Sequence, residues 1–428
     1  MKNLVALFGT MIILGSLAFA KIDDARFGLY TGSRYSPDDK TFITQRQAKA
    51  LGVNFSHFTY YLRFIPSVIG SENIEMEYLK EFMDSALAVS GIPVIICNPD
   101  SGIDFFSDGT ANSSMTFFAD WLKQFPGKII ISFGPEMNGG WHGPWGQQGT
   151  NYIAAFRNVA DVLRQNNSDI KMAWVPNWGK GYPWGNTSLD PGGVYSDYFP
   201  GDNYVDYVGL NCYYRDWECL DYVPDWFFLS VMNIGNFYNQ YATSKHPMII
   251  TESSAFDPHN NSSGSSTRVP LTIEEQLVFK KQYLRSAVKT INNYPLLETL
   301  CIFYVVKDEG AADSLHQNLG QVAFDFRLPI DYLRHLLDSV NTGVEENIEK
   351  NSLAAAYPNP CREQLNFANL TINQAVKVIL TNISGQIINE TSYFDNAVSI
   401  NTSTLAPGIY FCQIISGNKR EVIKIIHF

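Results

Sequence analysis

The sequence predicts an α/β chain: a (β/α)8 barrel of the TIM type followed by a small antiparallel all-β sandwich. Three observations carry this. Short apolar runs without helical periodicity alternate with amphipathic segments eight times between Arg26 and about Gly343. Two of those runs lead into a glutamate, Glu136 and Glu252, which is where such a barrel presents side chains for chemistry. After Gly343 the pattern changes, through the charged stretch GVEENIEKNS, to alternation with a period of two.

The units follow in order. RFGLYTG (Arg26–Gly32) reads as the first strand, and QRQAKALG closes a first helix at Gly52. Val53–Tyr61 is the second strand, followed by a helix that Asn73 caps and Gly91 stops. IPVIICNPD gives the third strand and MTFFADWLKQF its helix. Ile129, Ile130 and Ile131 make the fourth strand, and an amphipathic helix spans about Asn151 to Gln165. IKMAWVPN and VDYVGLNCYY are strands five and six; one long helix from about Trp226 to Ala242 leads to Met248, Ile249 and Ile250 of strand seven. Thr272 with Glu275 forms a capping box for the next helix. LETLCIFYVV is strand eight, and IDYLRHLLDSV closes the barrel. In the last region Val376, Val378 and Leu380 alternate, as do Ile409/Phe411 and Ile423/Ile425, with turns at Ser384-Gly385 and Gly417-Asn418. The domains expected are 1–20 signal peptide, 21–343 barrel, 344–352 linker and 353–428 sandwich.

Composition narrows the partners. A net charge of −11 argues against nucleic acid or an anionic membrane surface, whereas a neutral polysaccharide is indifferent to it. Lys2, the apolar stretch Leu4–Leu17 and Ala18-Phe19-Ala20 read as a cleavable export signal, with no integral membrane span after cleavage. Six cysteines in an exported chain permit disulfides: Cys212 with Cys219 and Cys361 with Cys412 are the pairings to test, while Cys97 and Cys301 sit in strands as buried thiols. No CxxC or HxxxH spacing suggests a metal, and no cofactor is expected.

The run from Ile129 to Gly146 is the richest in chemistry. Gly139, Gly140, Gly143 and Gly146 forbid regular structure after the strand, while Trp141, His142 and Trp145 are costly residues to leave on a loop. A carboxyl group ringed by flat aromatics suits a sugar, with the acid moving the proton and an indole stacking on the pyranose face. A lone carboxylate at a barrel rim is also a common ion-pair partner; the second one, Glu252, tips the balance toward chemistry. Hydrolysis of a glycosidic bond commonly uses one protonated and one ionised carboxyl.

PEMNGGWHGPWG at strand four, VGLNCYY at strand six and IITES at strand seven resemble clan A glycoside hydrolases, most closely glycoside hydrolase family 26, the family of β-mannanases and related endo-β-glycanases. The resemblance covers roughly Arg26 to Asn341. It implies Glu136 as acid/base, Glu252 as nucleophile and Tyr213 as the tyrosine that hydrogen-bonds the nucleophile. Asn138, Trp141 and Trp145 match the family's substrate-facing loop, and Trp178 and Trp217 are further candidate sugar platforms. The chain departs from the family at Pro135, where histidine or asparagine is usual. It departs again in CIFYVVKDEG, where Phe303 or Tyr304 stands in for a tryptophan, and in LYTGSR after strand one. Proline offers no N–H, so Asn177, Asn211 and His142 become the candidates to hold the sugar beside the cleaved bond. As acid, Glu136 is expected to have a raised pKa, from its negative neighbour and its aromatic loop.

YPNP (Tyr357–Pro360), NISGQII, LAPGIYF and the closing EVIKIIH run are similar to the type A sorting domain of the type IX secretion system. That likeness implies a Bacteroidetes-type bacterium, passage through the periplasm, the secretion machinery as partner, and release or attachment at the cell surface. Function is thus expected to be that of an exported endo-acting β-glycanase working by a retaining mechanism. The alternative is a catalytically inactive glycan-binding barrel at the cell surface.

Overall fold

The computed structural model describes residues 26–33, 36, 39, 41–178, 195–214, 227–233, 237–255, 259–260, 269–270, 273–308, 323–342, 355–357, 361–368, 376–382, 386–393, 398–416 and 419–427. The expected signal peptide, the linker, Trp217, Cys219 and both sandwich turns lie outside them, as do Thr272 and the side chain of Glu275. The chain divides into two compact units, Met1–Gly343 and Val344–Phe428.

The first unit is a closed parallel barrel. Its strands are β1 (Phe27–Tyr30), β2 (His57–Arg63), β3 (Ile92–Asn98), β4 (Ile129–Phe133), β5 (Ile170–Trp174), β6 (Tyr207–Gly209, resuming as Cys212–Tyr214), β7 (Met248–Ala255) and β8 (Leu297–Phe303). Each pairs with the next, and β8 returns to pair with β1. The central strands are buried on both faces, which is why they read as unbroken runs of Ile and Val. Helices cover the outside, among them Ile74–Ala88, Asn112–Leu122, Gly149–Asn166, Ile273–Asn293 and Ile330–Thr342. Asn73 caps the first of these through the amides of Glu75 and Met76, as the sequence indicates. Of the helix expected before β7, the described residues Phe227–Asn233 and Phe237–Tyr241 are helical.

Polar groups seal the lower end of the barrel. Arg26, immediately before β1, donates to the carbonyls of Ile291 (2.6 Å), Tyr294 (3.0 Å) and Leu297. Lys128 pairs with Glu298 at 3.1 Å and donates to the Tyr207 hydroxyl at 2.7 Å.

The sequence reads β7 as a short strand ending in Glu252, but β7 runs on to Ala255. What sets Glu252 apart is a bulge. Between Gly209↔Ile249 and Cys212↔Ser253, β6 advances 212 − 209 = 3 residues while β7 advances 253 − 249 = 4. On the other side, Leu300↔Ile250 and Ile302↔Ser253 show the same one-residue excess. An extra residue in one strand bends it and re-aims a side chain. Here the excess falls at Thr251-Glu252.

The second unit pairs a three-stranded antiparallel sheet (Ala355–Tyr357, Gln364–Ala368, Val398–Asn401) with a four-stranded one (Val376–Asn382, Ile387–Tyr393, Gly408–Ser416, Lys419–His427). Its core contains Leu365, Phe367, Val376, Val378, Leu380, Ile400, Cys412 and Ile425. Val376, Val378 and Leu380 face inward as expected. In strand Gly408–Ser416, however, Tyr410, Cys412 and Ile414 are buried and Phe411 faces out. Both faces of that strand are apolar, so ladder register, not hydropathy, decides which one is covered.

The cysteine pairings are corrected. Cys361 and Cys412 are both free buried thiols, as is Cys212. Cys361 bridges to His427 through its backbone while Cys412 stands opposite Leu380 and Ile423 in the four-stranded sheet, and burial pushes the Cys412 thiol up to about 12. Cys212 packs against the Ser253 hydroxyl at 3.5 Å. Cys97 and Cys301 are buried thiols, as read.

Candidate active site

The loop after β4 is shaped by its own side chains. Gly134 (φ 53°) and Glu136 (φ 53°) both take the left-handed conformation on either side of Pro135, unusual for a glutamate. Such strain persists only where surroundings impose it. The Glu136 amide donates to the Val175 carbonyl at 2.9 Å, extending the β4–β5 ladder, and the Trp145 indole donates to the Pro135 carbonyl at 2.8 Å. Gly139 lies so close under the Trp141 ring that a Cβ there would collide with it.

Glu136 therefore points into the barrel mouth with three groups around its carboxylate. Trp141 Nε1 donates to Oε2 at 2.8 Å, His142 Nε2 stands 3.8 Å from the same oxygen, and the Asn177 side chain hydrogen-bonds to the carboxylate as well. Glu252 is held by a second set. Asn211 Nδ2 donates to Oε1 at 2.7 Å and the Tyr213 hydroxyl to Oε2 at 3.1 Å, with Tyr61 a further donor. Thr251 fixes the Asn211 amide by donating to its Oδ1 at 2.6 Å.

The two carboxylates repel each other and share a dry site. Burial, and then the charge of Glu136, raises Glu252 to about 7. Burial also works to raise Glu136, but His142, Asn177 and Trp141 together hold it below the ordinary carboxylate value. The expectation that Glu136 carries the raised pKa is corrected: the negative neighbour does raise one member of the pair, and that member is Glu252. The sequence could not rank the two, because the deciding donors come from loops that only the fold brings together.

Several candidates take other places. Trp145 is 2% exposed, with its ring stacked on His142 at 4.3 Å and its N–H spent on Pro135, so it packs the loop. Trp178 is buried edge-on against Phe227 at 5.1 Å. Asn138 is buried too, gripping the backbone of Asn177 at both N–H (2.8 Å) and carbonyl (2.9 Å), which ties the β4 loop to the end of β5. Asn211 is fully buried and committed to Glu252 and Thr251, so it leaves the set available to a sugar. Trp141 alone of the described candidate tryptophans presents its ring, at 42% exposure.

Of the strand-eight substitutes, Phe303 faces the mouth, but Tyr30 covers its face at 4.6 Å and 17°. Tyr304 points away, packing partly buried against the outer core. Sequence reasoning missed Tyr61 and Thr251. The doublet Tyr60-Tyr61 held a signal: Tyr61 shares its parity with the buried His57 and Thr59 and so belongs to the inner face. Among the described residues no three His, Cys, Asp or Glu side chains gather as a metal-ligand set, and no helix is long and apolar enough to cross a membrane.

Residues 355–427 match the family described as the secretion system C-terminal sorting domain. Endoglucanase H of Acetivibrio thermocellus is 24% identical over 269 residues, 59% of this chain and 27% of that protein. The chain thus spans little more than a quarter of the length of the curated relative it matches. Among solved structures, the catalytic domain of the Bacillus sp. JAMB-750 GH26 endo-β-1,4-mannanase is similar at TM-score 0.48 and 17% identity, over 74% of this chain and 87% of that one. The modular endo-β-1,4-mannanase of Cellulomonas fimi gives TM-score 0.45 and 14% identity, over 96% of each chain. That of Thermotoga petrophila gives TM-score 0.45 and 11% identity, over 94% of this chain and 97% of that one. The chain joins a closed parallel (β/α)8 barrel to a region that matches the secretion system C-terminal sorting domain.

Proposed function

We propose that the barrel is an exported endo-acting β-glycanase that hydrolyses β-linked polysaccharide by a retaining double displacement, with β-mannan the leading substrate and β-glucan or xylan behind it. One observation carries the reading: Glu136 and Glu252, far apart in sequence, enter one barrel mouth as an electrostatically coupled pair, each carboxylate held by its own donors. Retaining enzymes place the two carboxyl groups about 5–5.5 Å apart. Glu252 attacks the anomeric carbon while Glu136 protonates the departing oxygen; Glu136 then takes a proton from the water that releases the sugar. Trp141 serves as the sugar platform beside the cleaved bond.

The chemistry needs one proton on the pair. That count holds between the pair's two macroscopic pKa values, but the surroundings place the proton on Glu252. Turnover then proceeds from the rarer arrangement, with the proton on Glu136, and is slowed in proportion to its population. The kcat/KM profile is expected to be bell-shaped, with its basic limb near pH 7, where Glu252 has been raised. A profile that stays flat from pH 6 to 9 would contradict a shared proton.

A reducing-sugar assay on mannan, glucomannan, lichenan and xylan tests the activity itself. The second reading, a glycan-binding barrel without catalysis, is favoured by the groups that keep Glu136 ionised and by Pro135, which lacks an N–H. It predicts retention of one of these glycans with no new reducing ends.

The sorting domain supports export. We assign residues 1–20 as the cleaved signal and the type IX machinery of a Bacteroidetes-type bacterium as the route, ending in release or surface attachment. Each unit has its own apolar core. Removing Val344–Phe428 should therefore leave hydrolysis by the purified barrel unchanged while the protein accumulates in the periplasm of its host. Normal appearance of the truncated chain in the culture medium would refute the sorting role.

A further inference from the structure

The geometry points to Tyr61 as a positioning residue for Glu252, anchoring its carboxylate from the side of the barrel opposite Asn211 and Tyr213. This rests on the proposed role of Glu252. Asn211 and Tyr213 belong to β6, the neighbour of β7, and reach Glu252 from one side at 2.7 and 3.1 Å. Tyr61 belongs to β2, three strands away by way of β8 and β1, and its hydroxyl crosses the mouth to the same carboxylate.

The intervening strands hold the tyrosine in place. Tyr30 of β1 meets the Tyr61 ring edge-on at 5.0 Å and 89°, and Phe303 of β8 meets it at 6.2 Å and 80°. Phe303 also meets Tyr213 at 5.8 Å and 79°. One aromatic cluster thus supports both tyrosines that serve Glu252. Tyr30 is fixed in turn, its hydroxyl donating to Asp39 Oδ2 at 2.7 Å. Burial beside Glu252 raises Tyr61 well above the ordinary phenol, so it remains a donor wherever Glu252 is ionised.

A carboxylate held only from the β6 side is free to turn about its side-chain bonds at a bulge, where the backbone ladder is already broken. The third donor removes that freedom. It also lowers the charge on the carboxylate that attacks in the first step and leaves in the second, so both steps feel its loss.

Tyr61→Phe removes the hydroxyl and keeps the ring packing. Hydrogen bonds to a charged group are the strong ones, so kcat/KM at pH 6 on an aryl β-mannoside is expected to fall about tenfold, and the basic limb to rise by about one pH unit. Independently of activity, the fall in thermal unfolding midpoint from pH 5 to pH 8 should grow in Tyr61→Phe. That extra dependence should vanish when Glu252→Gln is added. A Tyr61→Phe protein whose unfolding keeps the wild-type pH dependence overturns the anchor, and so does an equal change in the Glu252→Gln background. If the wild-type protein releases no sugar from any glycan while the unfolding result holds, the anchor stands and the hydrolase reading falls.

Discussion

Glu252→Gln is expected to remove nearly all hydrolysis, by about a thousandfold or more, because an amide cannot form the glycosyl-enzyme bond that double displacement requires. Glu136→Ala should cost as much on polysaccharide but far less in the first step on a dinitrophenyl glycoside, whose leaving group needs no proton. The glycosyl-enzyme would then accumulate, and added azide would release it as the glycosyl azide. This pair of results fixes the roles independently of where the resting proton sits. If azide instead gives the inverted glycosyl azide with Glu136→Ala and the retained one with Glu252→Ala, the two roles are exchanged. Undiminished turnover in either variant would remove the pair from the chemistry altogether.

The same glutamate should make the barrel sensitive to alkali. Folding raises Glu252 from 4.5 to about 7, so the folded chain holds this proton more tightly than the unfolded chain does. Its stabilising contribution is complete below pH 4.5 and is lost as the pH climbs through about 7. Above that the barrel contains a buried charge it accommodates poorly, at a cost of up to roughly 3 kcal/mol. Glu252→Gln abolishes that cost. The variant should unfold at a higher temperature than the wild-type protein at pH 8 and with no gain at pH 4. An equal difference at both pH values would show that packing, not charge, separates them.

Much of this was legible in the sequence, for identifiable reasons. The eight strands could be read because parallel strands covered on both faces leave uninterrupted apolar runs, as at Ile129–Ile131. The carboxylates could be read from where they fall relative to those runs. The bulge at Thr251-Glu252 could not, since nothing in MIITESSA distinguishes a regular strand from one carrying an extra residue. Nor could the fate of the tryptophans: Trp141 and Trp145 lie in the same loop, and only the indole bond to the Pro135 carbonyl shows which one is buried. The protonation order depended on His142 and Asn177 meeting Glu136, a matter of tertiary approach. In the sandwich, two equally apolar faces of strand Gly408–Ser416 left the choice to register.

The closure of the ring has a consequence for timing. β1 pairs with β8, and Arg26 holds carbonyls between 265 and 271 residues further along. During synthesis the first strand waits with one edge unpaired until Phe303 has emerged, because its partner does not yet exist. Contacts this distant in sequence are slow to form. A ring whose last seam needs both of its ends therefore stays open through most of its own translation.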